Sequence, residues 1–353
     1  MIKILHSADW HLDSPLMLRA PEQAALLRKA LQRIPGQVAA LCRQHGCDML
    51  LLSGDLFDGP YAADTLRLVQ SALEEVAVPV FIAPGNHDFV GYDSPWLAEA
   101  WPKNVHIFTH PMLEAVQVEA LDCCVYGAGY IQMDCPGLLA DHTPRHTTRY
   151  SVGVLHGDPT QLTSPYCPIS KEQVFASRLD YLALGHIHKG GTFQAGSTLC
   201  AWPGCPQGRG FDETGEKGVL LVTLDETAQT TFLPLAGPRF YDLDVSISQG
   251  LSAVLPPVGN EDFYRITLTG AGDAPDLDRL KQEYAHFPNL EILDHTTRPK
   301  QLWSHAGEDS LEGIYFQLLR DAMDSAEGTD KQRLELAAKI SRDLLDGQEV
   351  VLP

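Results

Sequence analysis

Apolar residues in the first two thirds of the chain come in short runs, each closed by a polar motif. The runs cover residues 2–6, 49–53, 78–83, 152–155 and 181–184. Runs this short and rich in Val, Ile and Leu predict buried strands, with each motif at the point where a strand gives way to a loop. Between the first runs the period changes. Residues 22–44 carry Ala25, Leu26, Ala30, Ile34, Val38 and Leu41 at helical intervals, although Pro35 and Gly36 are expected to kink or split that helix. A second helix is predicted over 64–76, capped by Asp64, with Leu66, Leu68, Val69, Ala72, Leu73 and Val76 as its buried stripe. From 105 onward mostly strands follow, at 105–108, 115–118, 123–126, 152–155, 219–224 and 230–233. This order predicts an α/β domain in which two sheets form a sandwich with helices outside.

Gly237 and Pro238 close the last of these strands and place a boundary there, giving a first domain over 1–237. Strand 263–268, helix 276–284 and strand 290–293 then predict a small α+β module over 238–308. The tail, 309–353, reads as helical. Its second helix, 330–345, sets Leu336, Ile340 and Leu344 on one face at intervals of four, a stripe suited to covering its own domain or to docking a partner.

At 353 residues and 44% apolar content, the chain has room for one large and one small domain. No stretch approaches the roughly 20 apolar residues that span a bilayer, and the apolar start is too short for a signal peptide, so a cytoplasmic protein with no membrane partner is expected. The eight cysteines show no disulfide-framework spacing, and free thiols are expected. The formal charge of −20 argues against a broad basic surface for nucleic acid. Residues 241–353 hold 10 Lys and Arg against 21 Asp and Glu, so the last third carries much of that acidity.

The strand-end motifs change the picture. Asp9 and His11, one residue apart, point the same way on an extended strand end and can share an ion. Asp55 follows Gly54, which permits a tight turn. In 85–88, Asn86 offers a neutral oxygen ligand and His87 a candidate acid. His156 stands alone, while His186 and His188 repeat the one-residue spacing. Each motif by itself is commonly a turn or a satisfied polar cluster. Five of them in this order describe a two-metal phosphoesterase site, since carboxylate and imidazole suit Mn²⁺, Fe²⁺ or Zn²⁺. His6, His45, His106, His142, His146, His286, His295 and His305 match no part of the pattern. The glycines between 204 and 218 allow a loop to approach a phosphate, with Arg209 as its ligand, or serve a hairpin connection.

The ordered set resembles the calcineurin-type metallophosphoesterases and, more narrowly, the SbcD and YhaO group of DNA repair nucleases. The stretches that carry the likeness are HSADWHLDSP (6–15), GDLFD (54–58), GNHD (85–88), YLALGHIH (181–188) and WPGCPQGRGFDETGEKG (202–218). The resemblance implies a four-layer αββα core, a small capping domain and a C-terminal segment that meets an SbcC-like coiled-coil ATPase. It implies that Asp9, His11, Asp55 and His188 hold one metal and that Asp55, Asn86, His156 and His186 hold the other, both typically Mn²⁺. His87 would protonate the leaving oxygen or stabilise the transition state, with Asp88 as an orienting carboxylate. A DNA nuclease subunit follows, with DNA and the ATPase as partners and a homodimer left open. A phosphodiesterase for cyclic nucleotides or nucleotides, and a subunit that chiefly organises the ATPase, are the rival expectations.

Overall fold

The computed structural model describes residues 1–16, 20–139, 148–297 and 302–347. His142 and His146 lie outside these residues. The chain runs β1 (Ile2–Ser7), α1 (Pro21–Gln44), β2 (Met49–Leu52), α2 (Ala63–Val76), β3 (Val80–Ile82), the single turn α3 (Pro95–Ala98) and β4 (Val105–Ile107). It continues through β5 (Glu114–Val118), β6 (Cys123–Gly127), β7 (Tyr150–His156), α4 (Lys171–Ser177), β8 (Tyr181–Gly185), β9 (Lys189–Ala195), β10 (Thr198–Gly204), β11 (Gly218–Leu224) and β12 (Ala228–Pro234).

Strand β1 is apolar on both faces because both are covered. Its Ile2 and Ile4 turn toward Val125, Val152, Val154 and Ala183 of the facing sheet, while Leu5 turns toward Leu27, Leu31 and Val38 of α1. One six-stranded sheet has the order β12-β11-β1-β2-β3-β4 and the other β5-β6-β7-β8-β10-β9. The pairs β1–β2, β2–β3, β3–β4, β6–β7 and β7–β8 are parallel, so their carboxyl ends share a direction within each sheet. Helices α1 and α2 cover the outer face of the first sheet. The outer face of the second packs Leu155, Leu182 and Leu184 against Val174 of α4, Ile169 and Leu179. The layers are αββα, as the sequence implied.

Several elements differ from expectation. Helix α1 runs unbroken through Pro35, which is itself buried beside Leu31, Ile34 and Val38. The apolar stripe of a 24-residue helix outweighs the roughly 3 kcal/mol that an interior proline costs. Helix α2 is not capped by Asp64, which lies within its first turn; Ala62 is the N-cap and makes no side-chain cap. The cap comes instead from Asp13 of the first loop, which accepts from Ala62 N (2.8 Å) and Thr65 Oγ1 (2.8 Å). The hairpin β9–β10 has no counterpart among the predicted strands. All eight cysteines are free and buried.

Beyond β12 come β13 (Phe240–Ser246), β14 (Phe263–Thr269), α5 (Leu277–Glu283), β15 (Leu290–Asp294), α6 (Leu311–Asp324) and α7 (Gly328–Leu345), with the three strands in the order β13-β14-β15. The chain divides into two compact units. The first comprises Met1–Leu243, Pro256–Ile266 and Leu280–Leu293; the second comprises Asp244–Leu255, Thr267–Arg279 and the described residues from Asp294 onward. The expected boundary at 237 thus falls within the first unit. In the second unit α6 and α7 pack through Phe316 and Arg342, whose guanidinium lies 4.2 Å from the ring centroid. Leu336 and Ile340 are half-buried. Leu344 at the end of α7 is exposed, and among the described residues α6 carries a longer uncovered stripe, where Leu311 (87% exposed), Ile314, Tyr315 and Leu318 fall at positions i, i+3, i+4 and i+7.

Candidate metal centre

The loops leaving β1, β2, β3, β7 and β8 meet at one end of the sandwich, bringing Asp9 and His11, Asp55, Asn86 to Asp88, His156, and His186 and His188 together. Backbone bonds lock the first two loops side by side: Asp9 N donates to Gly54 O and His11 N to Asp55 O, each at 3.0 Å. Four of these side chains sit on left-handed backbone, Asp9 (φ 54°), His11 (φ 47°), Asp55 (φ 53°) and His186 (φ 96°). Non-glycine residues adopt that region at a cost of order 1–3 kcal/mol, and such strain clusters where a site dictates geometry. Close approach also fixes residue type. A Cβ on Gly85 would stand 2.2 Å from Asp55 Oδ1, and one on Gly54 would stand 2.5 Å from His156 Nδ1.

The polar atoms converge without satisfying one another. Asp9 Oδ1 accepts from His186 N (2.9 Å), but Asp9 Oδ2 is buried with no partner. His156 Nδ1 donates to the carbonyl of Ser53 (2.8 Å), which turns Nε2 toward Asn86 Oδ1 at 2.9 Å and Asp55 Oδ2 at 3.4 Å. His188 Nδ1 donates to Glu213 Oε1 (2.7 Å), which turns its Nε2 toward His11 Nε2 at 3.0 Å. His186 Nδ1 lies 3.2 Å from Asn86 Oδ1. Imidazole lone pairs facing each other and facing carboxylates are repulsive unless positive charge lies among them. The titration behaviour says the same. Burial opposes charge on His156, yet Asp55 and Asp9 outweigh it and push the imidazole up to about 9. Burial likewise opposes ionisation of Asp55, and His156 and His11 overturn it, holding the carboxyl below its usual range. The orphaned Asp9 oxygen and this donor set fit divalent cations, for which Asp9–His11–His188 and Asp9–Asp55–His156 form ready groups.

His87 is the most exposed of these groups; its ring centroid lies 4.8 Å from that of His11, and His11, Asp58 and His87 form a third group able to hold an ion. The His87 side chain is 42% exposed, its backbone N–H donates to Asp55 Oδ1 (2.9 Å), and its Nδ1 lies 2.7 Å from Asp58 Oδ1. That hydrogen bond with Asp58, against a smaller burial cost, raises the His87 pKa. Asp88, expected to orient His87, is turned inward: its carboxylate accepts from the backbone N–H of Gly85 (2.8 Å) and Leu56 (2.7 Å), with Asp55 and Phe57 at 3.3 Å. Burial and the charge of Asp55 push its carboxyl up to about 7, while the donors from Gly85 and Leu56 pull it back. The group at His87 is Asp58, to which the sequence pattern assigns no role.

Arg209 is committed to carboxylates. Nη2 donates to Glu213 Oε1 (2.8 Å) and Nη1 to Asp58 Oδ2 (3.4 Å). Asp58 and Glu213, both within stretches noted in the sequence, thus form with Arg209 an outer row behind His87 and His188. Such outer carboxylates fix imidazole tautomer and orientation. His6 sits beneath the site, fully buried, with Nδ1 at Tyr181 Oη (2.8 Å) and Nε2 at Ser53 Oγ (3.0 Å) and Leu184 O (3.1 Å).

A strand-end cleft of buried carboxylate and imidazole, built from two facing sheets, is the architecture of a metal-dependent hydrolase. The chain belongs to the calcineurin-like phosphoesterase family, whose model matches residues 2–190. It is 32% identical over 238 residues to the uncharacterized metallophosphoesterase YhaO of Bacillus subtilis, covering 63% of this chain and 57% of that protein. It therefore spans little more than half of that relative's length. To the SbcD component of the SbcCD nuclease of the same organism it is 26% identical over 275 residues, covering 65% of this chain and 68% of the relative. A solved dimetal phosphatase from Danio rerio aligns over 65% of this chain and 98% of its own at 12% identity, with a TM-score of 0.43, a likeness too loose to carry an argument.

Proposed function

We propose that this phosphoesterase is a DNA nuclease subunit that uses two Mn²⁺ ions and works with an SbcC-like coiled-coil ATPase. The observation that carries the chemical part is the half-exposed His87, held by Asp58 at the rim of the buried ligand set, where we take it as acid and not as ligand. Its likeness to the SbcD component of the SbcCD nuclease supports DNA as substrate. Asp9, His11, Asp55 and His188 would hold one ion, and Asp55, Asn86, His156 and His186 the other, with Asp55 shared. The ions would supply Lewis acidity and charge neutralisation at the phosphate.

The remaining steps fall to this chain's own groups. With Nδ1 engaged by Asp58, His87 has Nε2 left to give a proton to the departing oxygen, which a diester's poor alkoxide leaving group requires. Glu213 and Ser53 keep His188 and His156 in the tautomers that present Nε2 inward. Arg209, bonded to Asp58 and Glu213, would act first as a positioning residue.

The test is cleavage of linear DNA by protein that has been chelated and then reloaded with Mn²⁺, alone and with the ATPase, alongside a cyclic nucleotide. DNA cleavage that vanishes on chelation and returns with Mn²⁺ is expected. His87→Ala should lose activity by about 10²-fold or more while keeping its metal, whereas Asp55→Ala should lose both. Equal metal loss in the two variants would move His87 into the ligand set. The net charge of −20 favours a small substrate instead, and brisk turnover of the cyclic nucleotide with no DNA cleaved would replace the nuclease reading by that one.

A further inference from the structure

Beside His87 the surface opens into a hollow of a different kind from the metal centre. It encloses about 520 Å³, within the range of small-ligand sites, and Tyr61, His87, Phe89, Tyr92 and Pro95 are among the residues that line it. Tyr92 is 93% exposed and Phe89 37% exposed. Aromatic rings left uncovered beside a reactive group offer flat apolar faces on which a planar ligand can stack.

These rings stand on a braced loop. Ser94 donates to Gly91 O through both N (3.0 Å) and Oγ (2.8 Å), Val90 N donates to Tyr130 O (2.7 Å), and Trp96 Nε1 donates to Asp88 O. Beneath them Tyr61, Phe57, Trp96 and Trp101 follow one another at ring separations of 5.8, 5.7 and 5.3 Å. The lining holds no Lys or Arg, and its charged groups besides His87 are Asp88 and Asp93. Away from His87 a phosphate finds no cationic partner there. An uncharged planar group needs none.

The geometry points to a nucleobase subsite: one unpaired base of the substrate, on the nucleoside that carries the leaving oxygen, stacks on Tyr92 and Phe89 beside His87. This rests on the phosphodiesterase reading and narrows it to nucleic acid with an unstacked nucleotide at the scissile bond. Stacking of this kind tolerates any base, so it selects single-stranded ends without selecting sequence.

The test compares dithymidylate with two analogues in which one or the other base is replaced by an abasic tetrahydrofuran, using the Mn²⁺-loaded protein. Wild type should show kcat/KM roughly tenfold higher for the dinucleotide than for one of the two analogues, as loss of one stacked base implies. Tyr92→Ala and Phe89→Ala should bring that ratio toward one, and Tyr92→Phe, which keeps the ring, should preserve it. Equilibrium dialysis of the same three compounds gives the ratio without turnover. A protein that binds them with that preference but cleaves none would sink the phosphodiesterase reading and keep the subsite. A wild-type ratio near one in both measurements, or a ratio that survives both alanine variants, would overturn the subsite.

Discussion

His6 is a residue whose worth depends on pH. Burial pushes its pKa from 6.5 down to about 3, against the pull of the Leu184 carbonyl. As pH falls through 6.5 the unfolded imidazole takes a proton that the folded one refuses until about pH 3. Folding stability is therefore lost across that window as pH falls, by about 1.4 kcal/mol per unit. The advantage of the wild type over His6→Gln, measured by urea unfolding, should shrink by about 2 kcal/mol between pH 7 and pH 5. A constant difference would mean that His6 is charged in the fold. At this scale the sequence was legible wherever an apolar run announced a strand end, since Asp9, Asp55, His156 and the rest all follow such runs. Asp58 and Glu213 gave no comparable signal. An acidic residue in a loop has no period, and only the fold shows that one faces His87 and the other His188.

At the scale of elements, the periodic stripes of α1 and α2 predicted both helices, and the departures come where another segment intervenes. Asp64 has the chemistry of a cap, but Asp13 occupies that end of α2 from 49 residues upstream. The hairpin β9–β10 is hidden in the sequence because Gly190, Gly191 and the half-exposed face of β9 interrupt the apolar pattern. Asp13 also ties the loop that carries Asp9 and His11 to α2. At its φ of 63° glycine would relieve backbone strain as well as remove the carboxylate, so Asp13→Asn, which tolerates the same left-handed backbone but keeps only one acceptor oxygen, is the cleaner substitution. Thermal and urea unfolding should show a loss of about 1 kcal/mol, the usual worth of an N-cap. An unchanged midpoint would show that α2 does not need this cap.

For the molecule as a whole, the charge of −20 makes a broad self-sufficient DNA grip implausible, and the partner of the proposed complex would supply positive surface. The sequence pointed to Leu336, Ile340 and Leu344 of α7, but which face of a helical pair stays open depends on how the two helices pack, which no single stripe reveals. The longer open stripe is on α6, while Leu344 of α7 is exposed as well. Ile314→Asp with Leu318→Asp should abolish copurification with the ATPase while hydrolysis of a small phosphodiester persists. Copurification that survives the double substitution would place the docking surface elsewhere.

The bond from His186 N to Asp9 Oδ1 spans 177 positions of sequence, and that separation acts as a clock during synthesis. A ribosome makes the Asp9 and Asp55 loops early, but nothing there can be completed until β8 has emerged and the second sheet has closed on the first. A chain that ends before His186 lacks that bond and both histidines of the last motif. An unfinished copy of this phosphoesterase therefore holds only part of its site.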